Sequence, residues 1–90
     1  SPMRILYRYL VENKVETATI GDLAALVNRK PEQLQTGFQS YVDAGYLKLT
    51  DDLYSFTALG RHYARVAYEK KDFDTFYAAS MGENLDADSA

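Results

Sequence analysis

The side chains with recognisable chemistry in this chain gather between residues 29 and 43. Arg29 and Lys30 supply two adjacent cations. Gln33, Gln35, Thr36, Gln39 and Ser40 follow at spacings that place them around the polar side of one helix, together with Glu32 and Asp43. A glutamine amide carries a donor and an acceptor side by side, a pair that matches the edge of adenine, and a hydroxyl can serve a base or a phosphate. Catalytic chemistry has no comparable set. Cysteine is absent, which removes disulfides, thiolate nucleophiles and Cys-based zinc sites together. His62 is the only histidine. No base–nucleophile pair, metal set or phosphate loop accompanies it, so it reads as a packed or surface residue. Neither an enzyme nor a bound cofactor or metal is expected.

Elements with clear punctuation must position that polar face. Ile5, Leu6, Tyr9 and Leu10 form one stripe of a first helix over about Pro2 to Asn13, with Arg4, Arg8 and Glu12 as ordinary surface charges on another face. Ser1 and Pro2, ahead of Met3, carry no functional weight. The β-branched run Val15 to Thr19 suits a brief strand or extended link. Thr19 with Asp22 three residues on is a capping box with Asp in the Glu position. It opens a two-turn helix through Leu23, Ala24, Leu26 and Val27. Pro31 fits the first position of a third helix, where its missing N–H costs nothing. Leu34, Phe38, Tyr41 and Val42 give that helix its buried side, and Gly45 ends it in the left-handed conformation. Tyr46–Thr50 and Leu53–Phe56 flank Asp51-Asp52 as a hairpin with weak turn chemistry. Thr57 caps a fourth helix to about Lys70, with Leu59, Tyr63, Val66 and Ala67 on one side and Gly60 weakening its first turn. Asp72 caps a last helix bearing Phe73, Phe76 and Tyr77.

Ninety residues hold one domain, and 47% apolar residues are enough to form a core without covalent staples. The expected organisation is a domain over residues 1–81 and an acidic, disordered tail over 82–90. No apolar run approaches the ~18 residues that span a bilayer, no signal-peptide pattern opens the chain, and a cytoplasmic location is expected. The net charge of −3 conceals an asymmetry. Residues 1–71 carry all ten Lys and Arg against eight acids, whereas residues 72–90 carry five acids and no base. The body is mildly basic, well short of a strong nucleic-acid binder.

Leu23-Ala24-Ala25-Leu26-Val27-Asn28-Arg29-Lys30-Pro31-Glu32-Gln33-Leu34, continuing without a gap to Val42-Asp43-Ala44-Gly45-Tyr46-Leu47, resembles the winged helix-turn-helix of MarR- and PadR-like transcription regulators. Phe56-Thr57-Ala58-Leu59-Gly60-Arg61 resembles the Leu-Thr-x-x-Gly-Arg with which many such wings return to a helix. The resemblance covers about residues 20–65. It implies a mainly α fold with a small β-hairpin, a winged helix-turn-helix followed by one or two C-terminal helices. It further implies major-groove binding by the third helix and backbone contact by the wing. Gln33, Gln35 and Thr36 would then reach base edges. Lys30 and Ser40 would lie nearer the backbone, Arg29 would add charge beside the helix start, Gln39 would share the exposed DNA-facing side, and Lys48 and Arg61 would stand on the wing side. Three features depart from the family: Arg29 occupies a position that is usually buried and apolar, the third helix has no cation after Lys30, and Asp51-Asp52 stands where an Asp-x-Arg wing tip is usual.

Eight tyrosines are many for this length. Most suit half-buried positions, and Tyr63, Val66, Tyr68, Phe73, Phe76 and Tyr77 are expected to form a homodimer surface matching a two-fold DNA site. The favoured function is sequence-specific binding of double-stranded DNA by a small transcriptional regulator. The alternative is a winged-helix module that binds another protein and not DNA.

Overall fold

A computed structural model describes residues 1–69 of the chain. Four helices, α1 (Pro2–Asn13), α2 (Ile20–Leu26), α3 (Pro31–Asp43) and α4 (Ala58–Ala64), frame one antiparallel hairpin, β1 (Leu47–Thr50) and β2 (Leu53–Phe56). α4 continues into a π-helical turn over Arg65–Glu69. The fold is thus mainly α with a small β-hairpin. The last helix expected around Phe73, Phe76 and Tyr77, and the tail 82–90, lie outside the described residues.

α1, α2 and α3 pack on one another, α3 lies on β1, and α4 returns against α1 and β2. Met3, Leu6, Leu23, Phe38 and Leu47 are the largest fully buried side chains, so α1, α2, α3 and β1 all contribute to one core. Phe38 meets Tyr54 edge-on at a centroid distance of 5.1 Å, a favoured aromatic geometry that ties α3 to β2.

α1 begins at Pro2, where the apolar stripe places it. Ser1 and Pro2 are buried; the Ser1 hydroxyl accepts from the Arg4 N–H as an N-cap, and Pro2 occupies the first turn. Arg8, expected as a surface charge, is 8% exposed. Its guanidinium Nε donates to Glu12 Oε2 at 3.0 Å, the counter-charge that a buried cation requires.

Chain reversals follow from backbone chemistry. Thr19 and Asp22 exchange both capping hydrogen bonds at the start of α2. α2 then ends in a Schellman motif: Asn28 is left-handed at φ 55°, its N–H bonds to Ala25 O, and the Arg29 N–H bonds to Ala24 O at 2.9 Å. α3 ends the same way. Gly45 sits at φ 89°, with bonds from its own N–H to Val42 O and from Tyr46 to Tyr41 O. Tyr41 and Tyr46 supply the apolar contact that accompanies such an end, their rings 6.1 Å apart.

The link between α1 and α2 forms one bridge, not a strand. Ala18 and Tyr54 exchange two backbone bonds of 3.0 and 2.8 Å, which places the link along β2. Thr50 pairs with Leu53 across a two-residue turn, and Asp51 (φ 50°) and Asp52 (φ 66°) both take the left-handed conformation of a type I′ turn. Two L-residues there carry a steric cost that Asn-Gly avoids.

Thr57 caps α4 by accepting from the Gly60 N–H at 3.1 Å. Its hydroxyl donates toward Gly45 O at 2.6 Å and lies 3.1 Å from Tyr46 O, which also accepts the Thr57 N–H. Gly60 is therefore a requirement of the packing: a Cβ there would lie 1.9 Å from Tyr46 O. The buried side of α4 also differs from expectation. Gly60, Ala64 and Tyr68 face the core with Ala67 beside them, whereas Leu59, Tyr63 and Val66 are 52%, 41% and 53% exposed. Only small residues fit where the helix approaches the backbone of the α3–β1 turn this closely.

Two stability measurements follow. Gly60→Ala, which helix propensity alone would favour, is expected to destabilise the chain by about 3 kcal/mol through overpacking against a carbonyl. Thermal unfolding followed by circular dichroism should show the midpoint falling by 10 °C or more, on the order of what that loss implies for a domain of this size; a rise would overturn the steric account. Asp51→Asn with Asp52→Gly should act oppositely, stabilising by about 1 kcal/mol and raising the midpoint.

Candidate nucleic-acid interface

All nine side chains expected to meet DNA are exposed: Arg29, Lys30, Gln33, Gln35, Thr36, Gln39, Ser40, Lys48 and Arg61. The first two lie on the turn between α2 and α3. Arg29 occupies the position of the Schellman motif that usually packs an apolar side chain. Here the turn closes on its backbone bonds alone, and the guanidinium is left facing water.

Along α3 the polar side chains divide by what already holds them. Gln33 Oε1 accepts from the Lys30 N–H at 2.8 Å, one half of a capping box; the other half cannot form because an ammonium has no acceptor. Gln39 Nε2 donates to Asp43 Oδ1 at 2.9 Å, and Ser40 Oγ donates back to Thr36 O at 3.1 Å. The Gln35 amide and the Thr36 hydroxyl make no hydrogen bond within the described residues, so both are available to an external partner. The exposure of this face follows the spacing of the polar residues, but these local bonds could not be told from spacing alone.

Electrostatics temper this face. Glu32 stands in the first turn of α3, where the helix dipole favours an anion, and Asp43 ends the helix with no cation in the last turn. Residues 1–69 carry eight Lys and Arg against eight Asp and Glu, so the described body is neutral overall. Lys48 and Arg61 line one shallow depression on the hairpin together with Thr50, Ser55 and Glu16. Arg61 Nη2 lies 3.1 Å from Glu16 Oε1, with both side chains largely in solvent. Such an exposed pair contributes roughly 0–1 kcal/mol and yields readily to a competing anion. Glu16 is a partner that sequence reasoning missed; it lies 45 residues from Arg61, and no local pattern joins them.

Two phenols titrate above the ordinary range: Tyr54 through burial, and Tyr9 through desolvation and the Asp22 carboxylate that its hydroxyl meets. Both stay neutral at physiological pH and act as hydrogen-bonding groups, not charges. His62 is exposed on α4, and among the described residues no group of three His, Cys, Asp or Glu could hold a metal ion. No described helix is long and apolar enough to cross a membrane.

Of the residues expected at a dimer surface, Tyr63 and Val66 are exposed, and Leu59 joins them at i, i+4 and i+7 spacing. Tyr68 is instead 4% exposed, tilted against Tyr7 at 5.2 Å, and serves the chain's own core. Phe73, Phe76 and Tyr77 lie outside the described residues. The rings form a series that the sequence did not disclose: Tyr41, Tyr46, Tyr63, Tyr68 and Tyr7 meet in succession at 5.2–6.3 Å. The Arg4 guanidinium lies 5.8 Å from the centre of the Tyr68 ring. No protein-family model, curated protein or solved structure matches this chain.

Proposed function

We propose that this chain is a winged helix-turn-helix domain, similar to those of MarR- and PadR-like regulators, that binds double-stranded DNA sequence-specifically as a small transcriptional regulator. One observation carries the reading. α3 is braced on its buried side by α1, α2 and β1, and it turns outward two uncommitted hydrogen-bonding side chains, Gln35 and Thr36. Arg29 and Lys30 stand at its N-terminal end. In this reading α3 is the recognition helix. Gln35 reads an adenine edge through its paired donor and acceptor, and Thr36 contacts a base or its methyl group. Lys30 and Arg29 neutralise phosphates at the helix start. Lys48 and Arg61 add backbone contact from the hairpin, Arg61 exchanging Glu16 for phosphate.

Dimerisation belongs to the same proposal. Leu59 and Tyr63 on α4 and Val66 on the π-helical turn that continues it form an exposed apolar stripe, and pairing two copies through it would present two α3 helices to a two-fold site. A second reading, a winged helix that binds protein and not DNA, draws on Glu32 and Asp43 on α3 and on Asp51-Asp52 at the hairpin tip. These carboxylates would face a phosphate backbone.

Selection of bound fragments from a random duplex library at low salt should enrich one sequence. Thr36→Ala or Gln35→Ala should relax preference at one or two base pairs, each change costing about 1–3 kcal/mol of discrimination. Lys30→Ala should weaken all sequences alike and reduce the salt slope by about one. A folded protein that enriches no sequence would sink the regulator reading in favour of the protein-binding one. Val66→Asp, on the exposed stripe, should shift the sedimentation mass from dimer to monomer while leaving the circular dichroism spectrum unchanged.

A further inference from the structure

Three tyrosines and a methionine, brought together from three helices and a turn, line a small cavity at the C-terminal end of α3. Tyr41 comes from the last turn of α3, Tyr46 from the residue after Gly45, Tyr63 from α4 and Met3 from α1, and the space between them is about 140 Å³. The contacts that assemble this lining are those that fix the fold. The turn at Gly45 returns Tyr46 to Tyr41, and the close approach of Gly60 to Tyr46 O sets Tyr63, one helical turn further on, against the Tyr46 ring. The rings are inclined, not stacked: Tyr46 meets Tyr41 at 53° and 6.1 Å, and Tyr63 at 66° and 5.8 Å. Rings tilted this steeply to a common neighbour leave a concave space between them, which parallel rings would close. Met3, 2% exposed, bounds the space on the side of the core with a polarisable thioether.

The chemistry of the lining selects a cation. A tyrosine ring carries negative charge on its faces and attracts a positive group held within about 6 Å of its centre. The cavity lies at the negative end of the α3 dipole, where Asp43 ends the helix and its last turn has no basic residue. The same series of rings already holds one cation at its far side: the Arg4 guanidinium is 5.8 Å from the centre of Tyr68, whose ring lies 6.3 Å from Tyr63. The lining residues include no carboxylate. A primary ammonium would therefore bring three N–H donors out of water with no charged acceptor to meet them, whereas a quaternary ammonium has no N–H to satisfy. Size narrows the choice further. The cavity is smaller than the roughly 300–1,000 Å³ of pockets that enclose a drug-sized molecule, so it takes one compact head group.

We propose that this cavity is an aromatic cage for a quaternary trimethylammonium head group. The rings of Tyr41, Tyr46 and Tyr63 attract the charge, and Met3 packs against the methyl groups. The assignment stands apart from DNA binding, because Gln35, Thr36 and the cations beside α3 take no part in it. Tyr63 also belongs to the stripe proposed to pair two copies, so the test includes a chain in which that pairing is removed.

Tetramethylammonium chloride titrated into the full chain, against sodium chloride at equal ionic strength, should move the Met3 methyl and the Tyr46 and Tyr63 ring resonances saturably while the Gln35 amide stays in place. The neutral carbon analogue 3,3-dimethylbutanol, of the same shape as choline, should bind about ten-fold more weakly than choline, since it lacks the charge that the ring faces attract. Tyr63→Leu keeps an apolar side chain but removes a ring; it should weaken choline about ten-fold and leave the neutral analogue unchanged, with the Phe38 ring resonances unmoved as a check of folding. Tyr63→Phe should restore choline binding. Choline and a short peptide carrying trimethyllysine share the head group, and the tighter of the two identifies its source. The inference is overturned if the neutral analogue binds as tightly as choline, if Tyr63→Leu binds choline as the parent chain does, or if the shifts rise linearly without saturation. Val66→Asp should bind choline as the parent chain does; loss of binding there would place the site between two copies and overturn its assignment to one chain.

Discussion

Two carbonyl oxygens, those of Gly45 and Tyr46, hold the two parts of this molecule together. The α3–β1 turn presents them outward, and Thr57 takes both: its hydroxyl reaches Gly45 O at 2.6 Å and its N–H reaches Tyr46 O at 3.1 Å. The same hydroxyl caps α4. One residue therefore sets where the hairpin ends, where the last described helix begins and how near that helix comes to α3. Gly60 is the other half of the arrangement, because only a residue without a side chain leaves Tyr46 O free to accept. Together with its packing on α1 and β2, this contact sets how α4 and its exposed apolar stripe sit on the domain.

Much of the fold was legible because it is specified by local chemistry. Thr19 with Asp22, Pro31 at a helix start and Gly45 past a helix end each dictate a backbone conformation within four residues, and the structure has them where the sequence put them. Other features depend on partners far along the chain. Arg8, paired with Glu12 one turn along α1, reads as surface, but the packing of the rest of the fold buries it. Gly60 reads as a weak helix residue until Tyr46 is seen above it. The stripe of Leu59, Tyr63 and Val66 has the periodicity of a core face and lies in solvent, because the small residues Gly60 and Ala64 are what the close approach admits. Hydrophobicity ranks residues by their tendency to be buried; it does not say which side of a helix has room.

The α3 face shows a similar limit. Spacing alone identified five polar side chains on one helix, and all five are exposed. Three of them already satisfy a neighbour: Gln33 at the helix start, Gln39 on Asp43 and Ser40 on the backbone. A side chain that closes a local bond is stiffened, and an outside partner must first compete for it. The recognition capacity of the proposed winged helix is thus narrower than its composition, concentrated in Gln35 and Thr36. The cations are arranged just as sparingly: Lys30 and Arg29 sit on a turn, and Arg61 shares its charge with Glu16.

The series of tyrosine rings has a consequence for how the molecule can be observed. The chain has no tryptophan, so its near-ultraviolet absorption and emission come almost wholly from tyrosine. Five of the eight lie within 5.2–6.3 Å of the next ring, in a line from the end of α3 through the start of β1 and α4 to α1. Chromophores this close exchange excitation and acquire optical activity from their mutual orientation. A small tilt of α4 would alter the geometry at Tyr63 and Tyr68 together, the third and fourth members of the line. The native protein therefore carries its own optical gauge of how its last described helix is seated, without any introduced dye.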